Sequence, residues 1–413
     1  MILYPPGPMW DVVEEHLEEA EFLWGQWERS LVAPNYTLEE VTQGPEQRLI
    51  AHIQGLVING PIVARKLLIP ALEEDEPDLA TAAAIALLLS PGDTGIEAVF
   101  EALHELPEQR PALARALEFS HRPELRPRMR ELLGGLDVGL VAVAAQVLAF
   151  HHEAIGDALP ALLASDEPAW RALALRALPD EPSSPLHTRA LLAGLVDYHP
   201  AIADAAIDAG TRMGIASAWG RARERAQDPG GTEAMLQLAL GGTADDRAQI
   251  FAALQHPRRR PGALWALGFV GTPEVMDSTL EWLDDDAVGP LVGELFSAVT
   301  GVDLGAARLT AAPVEAERLT HAPEHDLLCP NPMAVLRWWT QRRAQFTDGQ
   351  RYLGGRPHTR DRMLLALAQG PMRRRPPLLR ELQLQTPQKV RPRLQLRAPT
   401  TRQRSELTAL RAS

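Results

Sequence analysis

HPRRRPGALWALGFVGTPEVMDSTLEWLDDD, His256 to Asp286, reads as two helices and a turn. Behind Pro261, the residues Ala263, Ala266, Leu267 and Val270 stand at i, i+3, i+4 and i+7, one apolar helical face. Gly271 is placed to end that helix as a left-handed C-cap. Thr272 then caps a second helix, with Pro273 at its first position and Glu274 beside its positive dipole end. Met276, Leu280 and Leu283 form the second helix's buried stripe, and Asp284, Asp285 and Asp286 lie past its end. One such hairpin cannot cover its own apolar face, so it needs similar neighbours on either side.

Those neighbours are legible upstream. Pro77, Pro107, Asp137, Pro168, Pro200, Pro229 and Pro257 punctuate the chain at intervals of 30, 30, 31, 32, 29 and 28 residues. The intervals hold Ala/Leu-rich stretches without β-branched alternation, each long enough for two helices of about 12 residues. The expectation is an all-α, HEAT-like α-solenoid of short helical hairpins. Ahead of the array, Trp10, Val13, Leu17, Ala20, Trp24, Trp27 and Leu31 alternate steps of three and four, a seam that predicts a capping helix. Past residue 310 the pattern fades into Pro313, Pro323, Pro330 and Pro332, followed by a helix with Trp338 and Trp339. The expected organisation is a cap over 1–75, the array over 76–310, a connector and Trp helix over 311–345, and a basic helical domain over 346–413.

Composition narrows the chemistry. Of 41 basic residues only Lys66 and Lys389 are lysines, and neither follows a glycine, which excludes a P-loop. One cysteine in 413 residues excludes a disulfide framework and suits a reducing compartment. No G-x-S-x-G elbow and no strand-borne G-x-G-x-x-G is present. The opening Met-Ile-Leu-Tyr-Pro-Pro-Gly-Pro has neither a basic nor an apolar leader region, so a cytoplasmic protein with no membrane partner is expected. Charge is split: residues 342–413 carry 17 basic and four acidic side chains, whereas the first 341 carry 24 and 50. An acidic array precedes a basic tail.

Several stretches together resemble one family. They are LEEAEFLWGQW (17–27), PEQRLIAHIQGLVINGP (45–61), ELFSAVTGVDL (294–304), RWWTQRRAQFTDGQRYLGGRP (337–357) and LLALAQGPMRRRPPLLRELQLQTP (364–387). The combination is similar to an uncharacterised bacterial HEAT-like family whose genes lie near type VI secretion components and their effectors. The resemblance implies a protein partner, a secreted effector or a secretion component, with a role as adaptor, loading factor or immunity protein. It implies no catalytic residue and no cofactor.

The candidate partner-binding residues are Arg351, Tyr352, Arg356, Arg373, Arg374, Arg375, Trp338 and Trp339. Gly349, Gly354 and Gly355 suggest a tight loop that either buries Tyr352 as an anchor or presents Arg351 and Arg356 to a carboxylate. Arg373–Arg375 suit phosphate contacts, an alternative nucleic-acid reading, although the chain as a whole is acidic and only Phe346 and Tyr352 offer stacking. The same charge split is met more economically if the basic domain folds back on the acidic array. His321, His325 and Cys329 have i, i+4, i+8 spacing, but Pro323 and Pro330 interrupt a helix there, and no metal is expected. His151-His152-Glu153 is expected to end a helix, where imidazole suits the negative dipole end. The acidic turns Glu73–Glu76 and Asp284–Asp286 are solvated loops or, taken together, a ridge for a basic partner.

Overall fold

The computed structural model describes residues 7–179, 184–311, 323–387 and 390–412. Helices make up about 70% of the chain. The strands among the described residues are a two-residue antiparallel pair, β1 (Tyr352–Leu353) and β2 (Arg356–Pro357), so the protein is all-α as expected. No single described helix is long and apolar enough to cross a membrane. Two compact units divide the chain: unit 1 takes residues 1–31, 38–177 and 395–406, and unit 2 takes 32–37, 178–394 and 407–413.

Unit 1 is built on α1 (Trp10–Ser30), α2 (Gln47–Val57), α3 (Pro77–Leu89), α4 (Arg110–Phe119) and α5 (Val138–Phe150). Helix α1 packs on α2 and α3, α3 on α4, and α4 on α5. The α1 seam is interior: Val13, Leu17, Ala20, Trp24, Trp27 and Leu31 are buried, and Trp10 is half-buried. Trp24 and Trp27 meet Phe119 of α4 edge-on, with ring centroids 5.9 and 5.5 Å away. Helices α3 and α5 are apolar on nearly every side because each is covered from several directions, α3 by α1, α2 and α4 among others.

Unit 2 repeats the arrangement with α6 (Pro200–Arg212), α7 (Thr232–Gly241), α8 (Arg260–Val270) and α9 (Gly289–Thr300), each packed on the next. Three further helices, Ala216–Arg225, Ala244–Ala253 and Pro273–Thr279, link them. Gly271 ends α8 with φ 66°, as the sequence predicts, and Pro273 opens the next helix. That helix is shorter than its pattern suggests. It tightens into a 3₁₀ turn over Leu280–Trp282, and Leu280 is only half-buried. The side chain of Thr272 makes no capping bond.

The basic region completes unit 2 with α10 (Pro332–Arg342), α11 (Arg360–Gln369) and α12 (Arg375–Gln385). Helix α12 packs on α11, α7 and α6, and β1 packs on α9. The hairpin docks on helix ends. Gly354 and Gly355 donate their amides to Ala298 and Val299 at 2.7 and 2.9 Å, and Tyr352 donates to Gly271 at 2.8 Å. These bonds satisfy carbonyls that a helix terminus leaves open. Gly301, with φ 73°, has no room for a side chain, since a Cβ there would stand 2.6 Å from Gly354 backbone.

Gly301→Ala is therefore expected to lower stability by about 1–3 kcal/mol, from left-handed strain and the clash. Gly44→Ala, where a Cβ meets nothing within 4 Å, should be neutral or stabilising by up to about 1 kcal/mol. Urea-unfolding midpoints of the two variants check this contrast.

Candidate functional site

A cleft of about 740 Å³ opens at the amino-terminal ends of α7, α8 and α9 in unit 2. Thr232 and Glu233 begin α7, Pro261, Gly262 and Trp265 come from the first turns of α8, and Gly289, Pro290 and Leu291 start α9. The turn Leu283–Ala287 forms one wall, and Glu324, His325, Cys329, Pro330, Pro332 and Arg373 supply others. Trp265 is half-buried, and Arg373 lies over its ring with Cζ 4.1 Å from the centroid. Arg373 also bonds Glu294 at 2.7 Å and Glu324 at 2.5 Å. The five lining carboxylates meet three guanidinium groups, Arg373, Arg380 at Glu233 and Arg260 at 3.8 Å from Asp285. Three helix dipoles add about +1.5 in total at about +0.5 each, which leaves the cleft close to neutral. Asp285 accepts from the amides of Ala287 and Val288, and Glu233 pairs with Arg380. Asp284 and Asp286 have no ion-pair partner among the described residues.

The arginine run is interior. Arg374 is 5% exposed and Arg375 1%. Arg374 donates to Gly268 at 2.7 Å, lies 4.1 Å from the Phe269 centroid and 3.9 Å from Glu294. Arg375 donates to Leu367 at 2.6 Å. Burial pushes both guanidinium groups down to about 10, still charged at neutral pH. Burial likewise raises Glu294, and Arg374 and Arg373 only partly offset it. Arg351 donates to Phe269 and Val270 at 2.7 and 3.0 Å and pairs with Glu381 at 2.7 Å. Glu381 is fully buried. Its burial raises its pKa, but His358 and Arg351 outweigh that and hold it below the ordinary range.

Tyr352 is buried, and its hydroxyl accepts from Thr347 N at 2.9 Å. Trp339 is buried and donates to Asp277 at 2.8 Å, whereas half-buried Trp338 lies edge-on to Phe296. Arg356 is the one exposed member of the sequence-derived set. That set is therefore gathered into unit 2, but mostly into its core, so the Arg373–Arg375 surface foreseen in the sequence is corrected. Of the three spaced metal-type residues, His325 and Cys329 line the cleft and His321 lies outside the described residues. No group of three or more His, Cys, Asp or Glu side chains is placed to hold a metal among the described residues. Sequence reasoning missed Trp265 and Glu294. Glu294 had a signal: it is the single acid in the otherwise apolar GPLVGELFSAV.

Unit 1 holds a second cluster, where residues 395–406 meet the end of α5. Arg402 donates to Phe150 O and to His151 Nδ1, both at 3.1 Å, and to Glu406 at 2.8 Å. Burial, then Arg402, lowers His151 to about 4. The cation at this dipole end is thus Arg402, not the imidazole the sequence suggested. Burial and then Arg402 and Arg126 lower His121 as well. Burial raises Glu406, but His152, Gln395 N and Arg402 prevail and bring it to about 2. Further along the segment, buried Glu46 accepts from Thr400 N, Thr400 Oγ and Trp27 Nε1.

No family model matches the chain, and no curated protein does. Among solved structures it is similar to an engineered protein, at 14% identity over 90% of this chain and 99% of that one, with a TM-score of 0.31. It is also similar to human deoxyhypusine hydroxylase in complex with glycerol, at 18% identity over 67% of this chain and 94% of that one, with a TM-score of 0.20. At these scores neither likeness carries an argument.

Arg374→Met strips the buried Glu294 of one of its two cations and is expected to cost about 3–5 kcal/mol. The exposed Arg356→Ala should stay within about 0.5 kcal/mol. Denaturant unfolding separates them. Docking of residues 395–406 should also be acid-labile. Because His151 is depressed, its contribution is intact above 6.5 and lost as pH falls toward 4, and that of Glu406 is lost between 4.5 and about 2. Hydrogen exchange of 395–406, corrected for the intrinsic rate, should accelerate over that range, and His151→Gln should flatten its upper part.

Proposed function

We propose that the chain is a non-enzymatic, HEAT-like α-solenoid that binds a protein partner in the bacterial cytoplasm. Its setting is a type VI secretion system, where it serves as adaptor or loading factor for a secreted effector; an immunity protein that neutralises such a toxin is the alternative. The solenoid reading is supported by the order of packing, α3 to α4 to α5 in unit 1 and α6 to α7 to α8 to α9 in unit 2. The secretion setting is supported by the resemblance of the stretches 17–27, 45–61, 294–304, 337–357 and 364–387.

One observation carries the binding role. The carboxyl-terminal turns of α8 and α9 are closed by the chain's own basic region, while the amino-terminal turns of α7, α8 and α9 open on an aromatic-floored cleft with the exposed Asp284 and Asp286 on one wall. A preformed concavity with an aromatic anchor is what a partner segment engages with little rearrangement. Nucleic acid is favoured less. The donors of Arg373 and Arg374 are spent on Glu294, Glu324 and Gly268, which leaves the arginine run no phosphate-binding face.

The test is retrieval of the tagged full chain from its native host after nuclease treatment, with mass spectrometry of what remains. One stoichiometric protein encoded beside secretion genes is the expected result. Retention of nucleic acid alone, in a parallel sample without nuclease, would overturn the proposal.

A further inference from the structure

We propose that His16 and His52 of unit 1 form a two-histidine site for a zinc-class divalent ion, which clips α1 to α2. The site is separate from the Trp265 cleft. It goes beyond the protein-binding reading and does not rest on it.

Helix packing brings the two side chains together. His16 stands beside the buried seam residues Val13, Leu17 and Ala20 of α1, and His52 beside buried Leu49, Ile53 and Leu56 of α2. Both rings are half-buried. His16 lies over Gly55, where a Cβ would stand 2.7 Å from its Cδ2 and Nε2. Glycine inside a helix costs stability relative to alanine, and here it leaves the space that the imidazole fills.

Ring geometry is the central observation. The two Nδ1 atoms are 3.2 Å apart, the ring centroids are 5.0 Å apart, and the planes cross at 80°. A straight N–H···N hydrogen bond of that length would hold the centroids about 5.5 Å apart, since each nitrogen lies about 1.15 Å from its ring centre. An ion bound about 2.05 Å from both nitrogens, with an angle of about 102° between them, gives separations of about 3.2 Å and about 5.0 Å. Both distances fit two ligands that share one near-tetrahedral ion. The centroid distance departs from that of a straight bond between the rings.

Electrostatics point the same way. Burial, then His16, lowers the pKa of His52, and Arg48 adds to the fall, while Glu19 and Glu15 oppose it. His52 is thus neutral at pH 7, the form that binds a metal. Glu15 and Glu19 also put negative charge near the pair. No third His, Cys, Asp or Glu completes a ligand set among the described residues, so the remaining positions fall to water. Imidazole ligands select Zn²⁺, Ni²⁺ or Cu²⁺ over Ca²⁺ and Mg²⁺, which take oxygen.

The probe is Zn²⁺, titrated calorimetrically into the full chain after chelator treatment and without a histidine tag. One site is expected, with a dissociation constant on the order of 10–100 µM for half a four-ligand set. H16Q and H52Q should each weaken it at least tenfold. G55A keeps both ligands but displaces the His16 ring, so it should weaken binding at least fivefold, with a metal-free urea midpoint that matches or exceeds wild type. H121Q, which alters the other close histidine pair, His121 and His151, should bind within twofold of wild type. Saturating Zn²⁺ should raise the urea midpoint of the wild type and leave that of H16Q unchanged. The absence of saturable binding would overturn the inference, as would undiminished binding in H16Q, H52Q or G55A. Displacement by Ca²⁺ or Mg²⁺ in about hundredfold excess would also overturn it, by reducing the effect to the acidic face of α1.

Discussion

Arginine guanidinium groups close the carboxyl-terminal ends of several helices in each unit. In unit 1, Arg402 reaches Phe150 at the end of α5, Arg122 reaches Ser90 beyond α3, and Arg110 reaches Leu103 near the end of Thr94–Glu105. In unit 2, Arg351 takes Phe269 and Val270 of α8, Arg391 takes Arg212 of α6, Arg259 takes Ala226, and Arg260 takes Leu254. Helices of 10 to 13 residues, as most of these are, leave about a third of their carbonyls without a partner inside the helix. A guanidinium satisfies two acceptors at once and sits favourably at the negative dipole end. The near-absence of lysine thus has a structural consequence, because an ammonium lacks that fork.

The same interaction accounts for the charge split. The basic region of unit 2 is a neutralising layer on an acidic helix array, through Arg380 with Asp208 and Glu233 and Arg373 with Glu294, while Arg351 pairs with Glu381 inside the basic region itself. Burying such charges is costly, as the depressed Arg374 and raised Glu294 indicate. A pair of this kind adds little net stability over an apolar pair, yet losing one partner strands the other. Its physical effect is to fix where the stretch 372–385 lies. In unit 1, Glu46 does the same for Thr400 with three hydrogen bonds to one buried carboxylate.

Helix pairing, the Gly271 cap, Pro273 and the α1 seam were legible because each depends on spacing within one element. The destinations of the arginines were not. Arg373, Arg374 and Arg375 read as a surface patch because a sequence gives their sum, whereas their burial depends on Gly268, Glu294 and Leu367 at distances of 8 to 106 residues along the chain. His151 was read correctly as following a helix end, but the residue that takes the terminal carbonyl is Arg402, 252 positions away from Phe150. Of the cleft, the Asp284–Asp286 turn was visible. Trp265 was not, because an aromatic on the predicted helix Pro261–Val270 reads as core until Arg373 is seen above it.

The most direct test is the unfolding free energy of the double variant R351K/R402K, which keeps every charge and removes one guanidinium fork from each unit. If forked capping of helix ends holds the basic stretches in place, stability falls by about 2–4 kcal/mol. A loss within about 0.5 kcal/mol would mean that charge alone suffices, and would contradict the account.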